Sequence, residues 1–141
     1  MPSADTRLSF SGHETFPFRY TWLRKAIDQV RSDSSGFLAP DAMVDLGVGK
    51  NMVRSIRHWG ITCGVIEEDP TISRNRGRHL RPTDLGYQLL SDEGWDPYLE
   101  DPATTWLLHW RLCCTADRAT TWYWVFNHLP QPEFSKAELL K

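Results

Sequence analysis

Residues 40–90 read PDAMVDLGVGKNMVRSIRHWGITCGVIEEDPTISRNRGRHLRPTDLGYQLL. Asp41 stands at an N-cap position behind Pro40, and Ala42–Leu46 is long enough for one to two helical turns. Gly47 and Gly49 permit the sharp reversal that joins two helices. A second helix follows from about Lys50 to Cys63, because Val53, Ile56, Gly60 and Cys63 recur at spacings of three and four and form one buried stripe. Gly64 is placed to stop it. Val65–Glu67 and His79–Arg81 are short strands, and the connector EDPTISRNRGR supplies Pro, Asn and Gly for turning. Thr83 caps a closing helix, Asp84–Leu90, with Asp84 at the end favoured by the helix dipole. The order predicts a mainly α fold: a winged helix-turn-helix with a short β-hairpin wing.

On the N-terminal side, Met1–Ser11 is polar and reads as loose. The phrase FSGHETFPFRYTW, Phe10–Trp22, is dense in aromatics. A helix beginning at Pro17 or Phe18 runs to about Arg31, with Tyr20 or Trp22, Leu23, Ile27 and Val30 inward. SDSSG, residues 32–36, breaks it. On the C-terminal side, DEGWDPYLEDP is acidic and carries two prolines, which marks a boundary. The expected organisation is a winged helix-turn-helix domain over 1–91 and the start of an α-helical domain over 92–141. Two Trp-rich helices follow the boundary, Ala103–Cys114 and Ala119–His128. In the first, Leu107, Trp110 and Cys114 share a face and Trp106 lies beside Trp110; the second is apolar nearly all round and reads as buried or at an interface. Ser135 and Glu138 form a capping-box pattern for a helix cut short after a few residues, so the chain reads as the N-terminal part of something longer.

The composition narrows the function classes. With 40% hydrophobic residues in 141, a packed core is affordable and global disorder is excluded. The net charge of -2 conceals a split: residues 50–81 carry seven basic and three acidic side chains, and the remainder carries nine basic and fifteen acidic. Clustering of this kind creates a local field that attracts phosphate. Three cysteines, Cys63, Cys113 and Cys114, give neither a disulfide framework nor a structural zinc site. No apolar run has membrane-spanning length and residues 1–12 lack a signal-peptide core, so a soluble, cytoplasmic protein with no membrane contact is expected.

Lys50, Asn51, Arg54, Arg57 and His58 lie off the buried stripe of the second helix and are candidates for DNA contact. Arg pairs in bidentate fashion with guanine and Asn with adenine, whereas Lys50 and Asn51 at the helix start also suit phosphate. Arg74, Arg76, Arg78 and Arg81 on the wing are candidates for the DNA backbone or minor groove, their alternating spacing matching a hairpin face. Arg81 has a structural alternative in pairing with Asp84, and the whole unit has one in protein contact. His13 and Glu14 either clamp the first helix or act as an acid-base pair. Trp106, His109, Trp110, Trp122, Trp124 and His128 read as packing first and as a ligand cage second. Asp96, Glu100 and Asp101 read as a helix break before they read as metal ligands. No G-x-S-x-G, Walker A or metal-ligand set accompanies them, so no catalytic residue, metal or cofactor is expected.

Four phrases, FSGHETFPFRYTWLRK, LGVGKNMVRSIRHW, WDPYLEDPATTWLLHW and ATTWYWVFNH, in this order, resemble the bacterial domain-of-unknown-function family 4007 over almost the whole chain. The resemblance implies a setting: operons of DNA phosphorothioate modification and phage defence, beside sulfotransfer proteins similar to phosphoadenosine-phosphosulfate reductase. It contributes no catalytic residues. The partner it implies is double-stranded DNA, including DNA with sulfur in place of a non-bridging phosphate oxygen. Sulfur is softer and less hydrated than oxygen, so an aromatic wall beside cationic donors suits it; His13, Arg19 and Tyr20 are the candidates for such a pocket. The rival expectations are a protein adaptor that docks a sulfotransfer or defence-complex partner, a nuclease using His13 and Glu14, and a dimeric transcriptional regulator.

Overall fold

The computed structural model describes residues 7–140. Residues 1–6, part of the polar start read as loose, lie outside the described residues, as does residue 141. The fold is mainly helical, with one small antiparallel sheet of two strands.

Helix α1, Thr21–Ser32, buries Trp22, Leu23, Ala26, Ile27 and Val30. It begins later than Pro17 or Phe18. Phe16 and Phe18 both pack against the core from the preceding segment. Residues two apart do not share a helix face, so burying both requires a non-helical chain there. Pro17 also disfavours a helical conformation at Phe16. Tyr20 stays exposed, leaving Trp22 as the inward residue of that pair. A short 3-10 turn, Gly36–Leu38, follows, and its Phe37 is buried.

Helix α2, Ala42–Leu46, ends on Gly47, whose φ of 66° is the left-handed conformation the reversal demands. Asp41 holds the N-cap position of α2 without a capping side-chain hydrogen bond. Helix α3, Lys50–Thr62, buries Val53, Ile56 and Gly60, and Cys63 behind it is fully buried. Gly60 lets α1 and α3 approach closely: a Cβ there would stand 3.0 Å from Ala26 Cβ and 2.9 Å from Ile66 Cδ1.

Strands β1, Ile66–Glu68, and β2, Leu80–Pro82, pair with Glu67 opposite Arg81. Each starts one residue later than the sequence pattern predicts. Val65 N–H is taken by Gly60 O, which closes α3, and His79 N–H is taken by Asn75 Oδ1 inside the connector. Helix α4, Asp84–Leu90, is capped as expected: Thr83 Oγ1 accepts from Gly86 N at 2.9 Å and donates to Gly64 O at 2.7 Å.

Helix α5, Pro102–Cys114, starts on Pro102 behind an Asp101 cap, and helix α6, Thr120–His128, follows a short turn. A four-residue helix, α7, Lys136–Leu139, carries the expected Ser135–Glu138 capping box. Leu108 and Leu112 of α5 belong to the same buried cluster as α1, α3 and α4. The inward face of α5 is therefore Thr104, Leu108 and Leu112, and the face shared by Leu107, Trp110 and Cys114 is half-buried at Leu107 and exposed at the other two. A line at i, i+4 and i+8 of small and aliphatic side chains fits a close-packed surface, and bulky indoles are left outside. Trp106 and Trp110 are 71% and 61% exposed, so packing does not account for them, while Trp22 and Trp59 are core. Helix α6 is not buried all round: Thr120 and Trp122 face inward, and Trp124 and Phe126 are exposed.

Candidate nucleic-acid interface

The first two turns of α3 present Lys50, Asn51 and Arg54 to solvent. Arg57, one turn on, is half-buried and donates from Nη2 to Gly77 O at 2.9 Å. That bond fastens α3 to the β1–β2 connector. Its Nε is buried without a hydrogen-bond partner, and burial, then the charge of Arg118, holds its pKa below the ordinary value. His58 is half-buried edge-on to Trp59, with ring centroids 5.2 Å apart. Burial foremost, then His13, Arg118 and Arg57, pushes its pKa down to about 4, so the ring is neutral near pH 7 and acts as a neutral donor or acceptor.

The connector is organised from within by Asn75. Its Nδ2 donates to Asp69 O at 3.1 Å and His79 O at 2.7 Å, and its Oδ1 accepts from His79 N at 2.7 Å. With Asn75 turned inward, Arg74, Arg76 and Arg78 are turned outward and exposed. Their exposure does not come from strand pleating, because all three precede β2. It comes from loop backbone: Arg74 and Arg76 have φ of 55° and 54°, and Gly77 has 72°. Left-handed arginines are uncommon, and such strain gathers at functional segments. Arg81 differs from the other three. It pairs with Glu67, its cross-strand neighbour, from Nε at 2.9 Å and Nη2 at 2.7 Å, and not with Asp84.

The N-terminal phrase lies against α3. The His13 ring stacks on Trp59 with an interplanar angle of 13°, and Thr15 N donates to His13 Nδ1 at 3.0 Å. Glu14, with φ of 50°, stands 3.8 Å from Arg54. Gly12 passes so close to α3 that a Cβ would stand 2.6 Å from His58 Nδ1. Arg19 instead stacks over Trp22, 4.9 Å from the ring centroid. Tyr20 lines a different cavity, with Arg24 and Tyr98. His13, Arg19 and Tyr20 thus do not meet in one pocket.

A cleft of about 680 Å³ runs along α3, walled by Gly12 and Glu14 and carrying Lys50, Arg54, Arg57, His58 and Arg118. Arg118, in the turn between α5 and α6, escapes sequence reasoning. It is a lone basic residue between two aromatic helices, and only the packing of α6 on Trp59, through Trp122 at 6.2 Å, brings it to α3. Among the described residues no three His, Cys, Asp or Glu side chains gather as a metal-ligand set.

The family model described as "Protein of unknown function (DUF4007)" matches residues 10–141. The chain belongs to this family. Two solved structures are similar to it. "Magnesium ion-bound SspB crystal structure" superposes with a TM-score of 0.82 at 40% identity, and "SspB crystal structure" with 0.81 at 43%. Each likeness covers 93% of this chain and 40% of the SspB chain, so the present chain spans well under half the length of SspB. The magnesium ion is a property of that SspB crystal. No curated protein matches the chain. No helix among the described residues is long and apolar enough to cross a membrane.

Proposed function

We propose that this chain binds double-stranded DNA as a winged helix-turn-helix, within a bacterial phosphorothioate modification or phage-defence system in the cytoplasm. In this reading α3 lies in the major groove, and the β1–β2 connector is the wing along the backbone. The observation that carries it is the joint presentation of Lys50, Asn51 and Arg54 on α3 with Arg74, Arg76 and Arg78 on a connector that Arg57 ties to the same helix. Arg and Lys provide most of the affinity by counterion release, and α3 provides register. Arg81 contributes less, being engaged by Glu67. The family and the likeness to SspB support the defence setting. The segment acts by binding, with no chemistry of its own.

Fluorescence anisotropy with matched duplexes, plain and phosphorothioated, across a salt series tests this. Binding should weaken steeply with salt, and Arg54→Ala should lower the log–log slope by about one. The pair Arg76→Ala with Arg78→Ala should lower it by about two. Tighter binding of the sulfur-bearing duplex would identify a modification reader. Absence of binding at low salt would refute the proposal. A second reading, a protein adaptor for a sulfotransfer or defence partner, draws on the exposed Trp106, Trp110, Trp124 and Phe126. It predicts complexes that survive high salt and retain no DNA.

A further inference from the structure

The cationic cleft does not end at His58. It shares His58 and Arg118 with a second cavity of about 340 Å³, whose lining includes the aromatic rings of His13, Phe16, Phe18, Trp59 and Trp122. Thr15 and Thr121 put hydroxyls among its lining groups. We propose that this cavity receives one unstacked base from the DNA lying along the cleft. The inference rests on the DNA-binding reading and adds a ligand site to it.

Three observations support a base as the occupant. The volume lies at the low end of small-ligand cavities, roughly 300–1,000 Å³, which suits a single planar ring system. The lining is rich in aromatic rings, with Phe16, Phe18 and Trp122 only partly buried, and sequence-tolerant capture of nucleotides relies on stacking against aromatic side chains. The adjoining cleft selects for a polyanion: Arg57 and Arg118 repel one another there, and Arg57 Nε is buried with no partner. Glu14 is the one acidic residue among the described residues lining that cleft. A phosphate between the two guanidiniums relieves the repulsion and places the attached sugar at the cavity mouth. Neutral His58 at the junction sets no further charge against the base. Glu68 and Glu14 offset part of the charge on Arg57 and Arg54, and an aromatic side chain of a protein partner would satisfy the walls but bring no anion to the remainder.

Anisotropy titrations of the full chain with three duplexes test the inference: one matched, one with a single unpaired base, and one with the same extra nucleotide lacking its base. The last two share flexibility and charge, so their difference reads the base alone. The base-bearing bulge should bind about tenfold more tightly than the abasic bulge, the increment of one stacked base. Trp122→Phe and His13→Ala, each verified as folded by circular dichroism, should narrow that ratio to about twofold or less. Equal affinity for the two bulged duplexes, with the matched duplex still bound, would overturn base capture and leave the DNA-binding reading standing. Failure to bind any of the three would overturn both.

Discussion

His58 occupies the junction of two cavities, and its proton equilibrium is coupled to folding. Its folded pKa of about 4 lies below its ordinary 6.5. The unfolded chain therefore holds the extra proton between those values, and stability falls as pH drops from about 6.5 toward 4. The ring is half-exposed and screened by solvent, so its share is about 1 kcal/mol. Urea melts at pH 7 and pH 4.5 should show a smaller decline for His58→Gln than for the parent chain. A decline of equal size would mean that other groups govern the acid limb. At this scale the sequence was readable where one element decides the residue's fate. Val53, Ile56 and Cys63 follow from spacing alone. Arg81 does not, because its partner Glu67 is fixed by a cross-strand register that a linear reading cannot count. Arg118 is still less legible, since its place depends on α6 meeting α3.

The β1–β2 connector behaves as a unit because one buried amide holds it. Asn75 closes three hydrogen bonds to backbone groups of Asp69 and His79. Asn75→Ala leaves His79 N–H unpaired, while His79 O keeps Asp69 N–H and Asp69 O keeps Ile72 N–H, at a local cost of about 2 kcal/mol. Amide exchange at His79 should accelerate, and duplex affinity should fall about tenfold although the Asn75 side chain faces away from solvent. Unchanged exchange at His79 would show that the turn is held by its backbone alone. The existence and order of α2, α3, the hairpin and α4 were legible, since glycine stops, caps and period-3.6 stripes agree there. The faces of α5 and α6 were not. A helix rich in aromatics all round has no dominant stripe, so periodicity leaves its rotation undecided, and the Leu108–Leu112 line prevails only through tertiary packing.

Across the whole molecule, the N-terminal segment is fastened to the start of α6 and to α3. Ser9 N donates to Thr120 Oγ1 at 2.7 Å, Thr120 N donates to Ser9 O at 3.3 Å, and Trp59 Nε1 donates to Phe16 O at 3.2 Å. Thr120→Val keeps the shape and removes the acceptor, which should cost about 1–2 kcal/mol and loosen the N-terminal phrase. Trypsin should then cut at Arg19 faster than in the parent chain; an unaltered rate would mean that Phe16 and Phe18 anchor the phrase unaided. The same join has a consequence in time. Ser9 leaves the ribosome long before Thr120 is made, and contacts of such separation must wait for loop closure. The Ser9–Thr120 join therefore closes only after α6 is made, although Ser9 is synthesised first. Until α6 emerges, the nascent protein carries its arginines on an open face, and a mature cleft exists only once translation has passed Thr120.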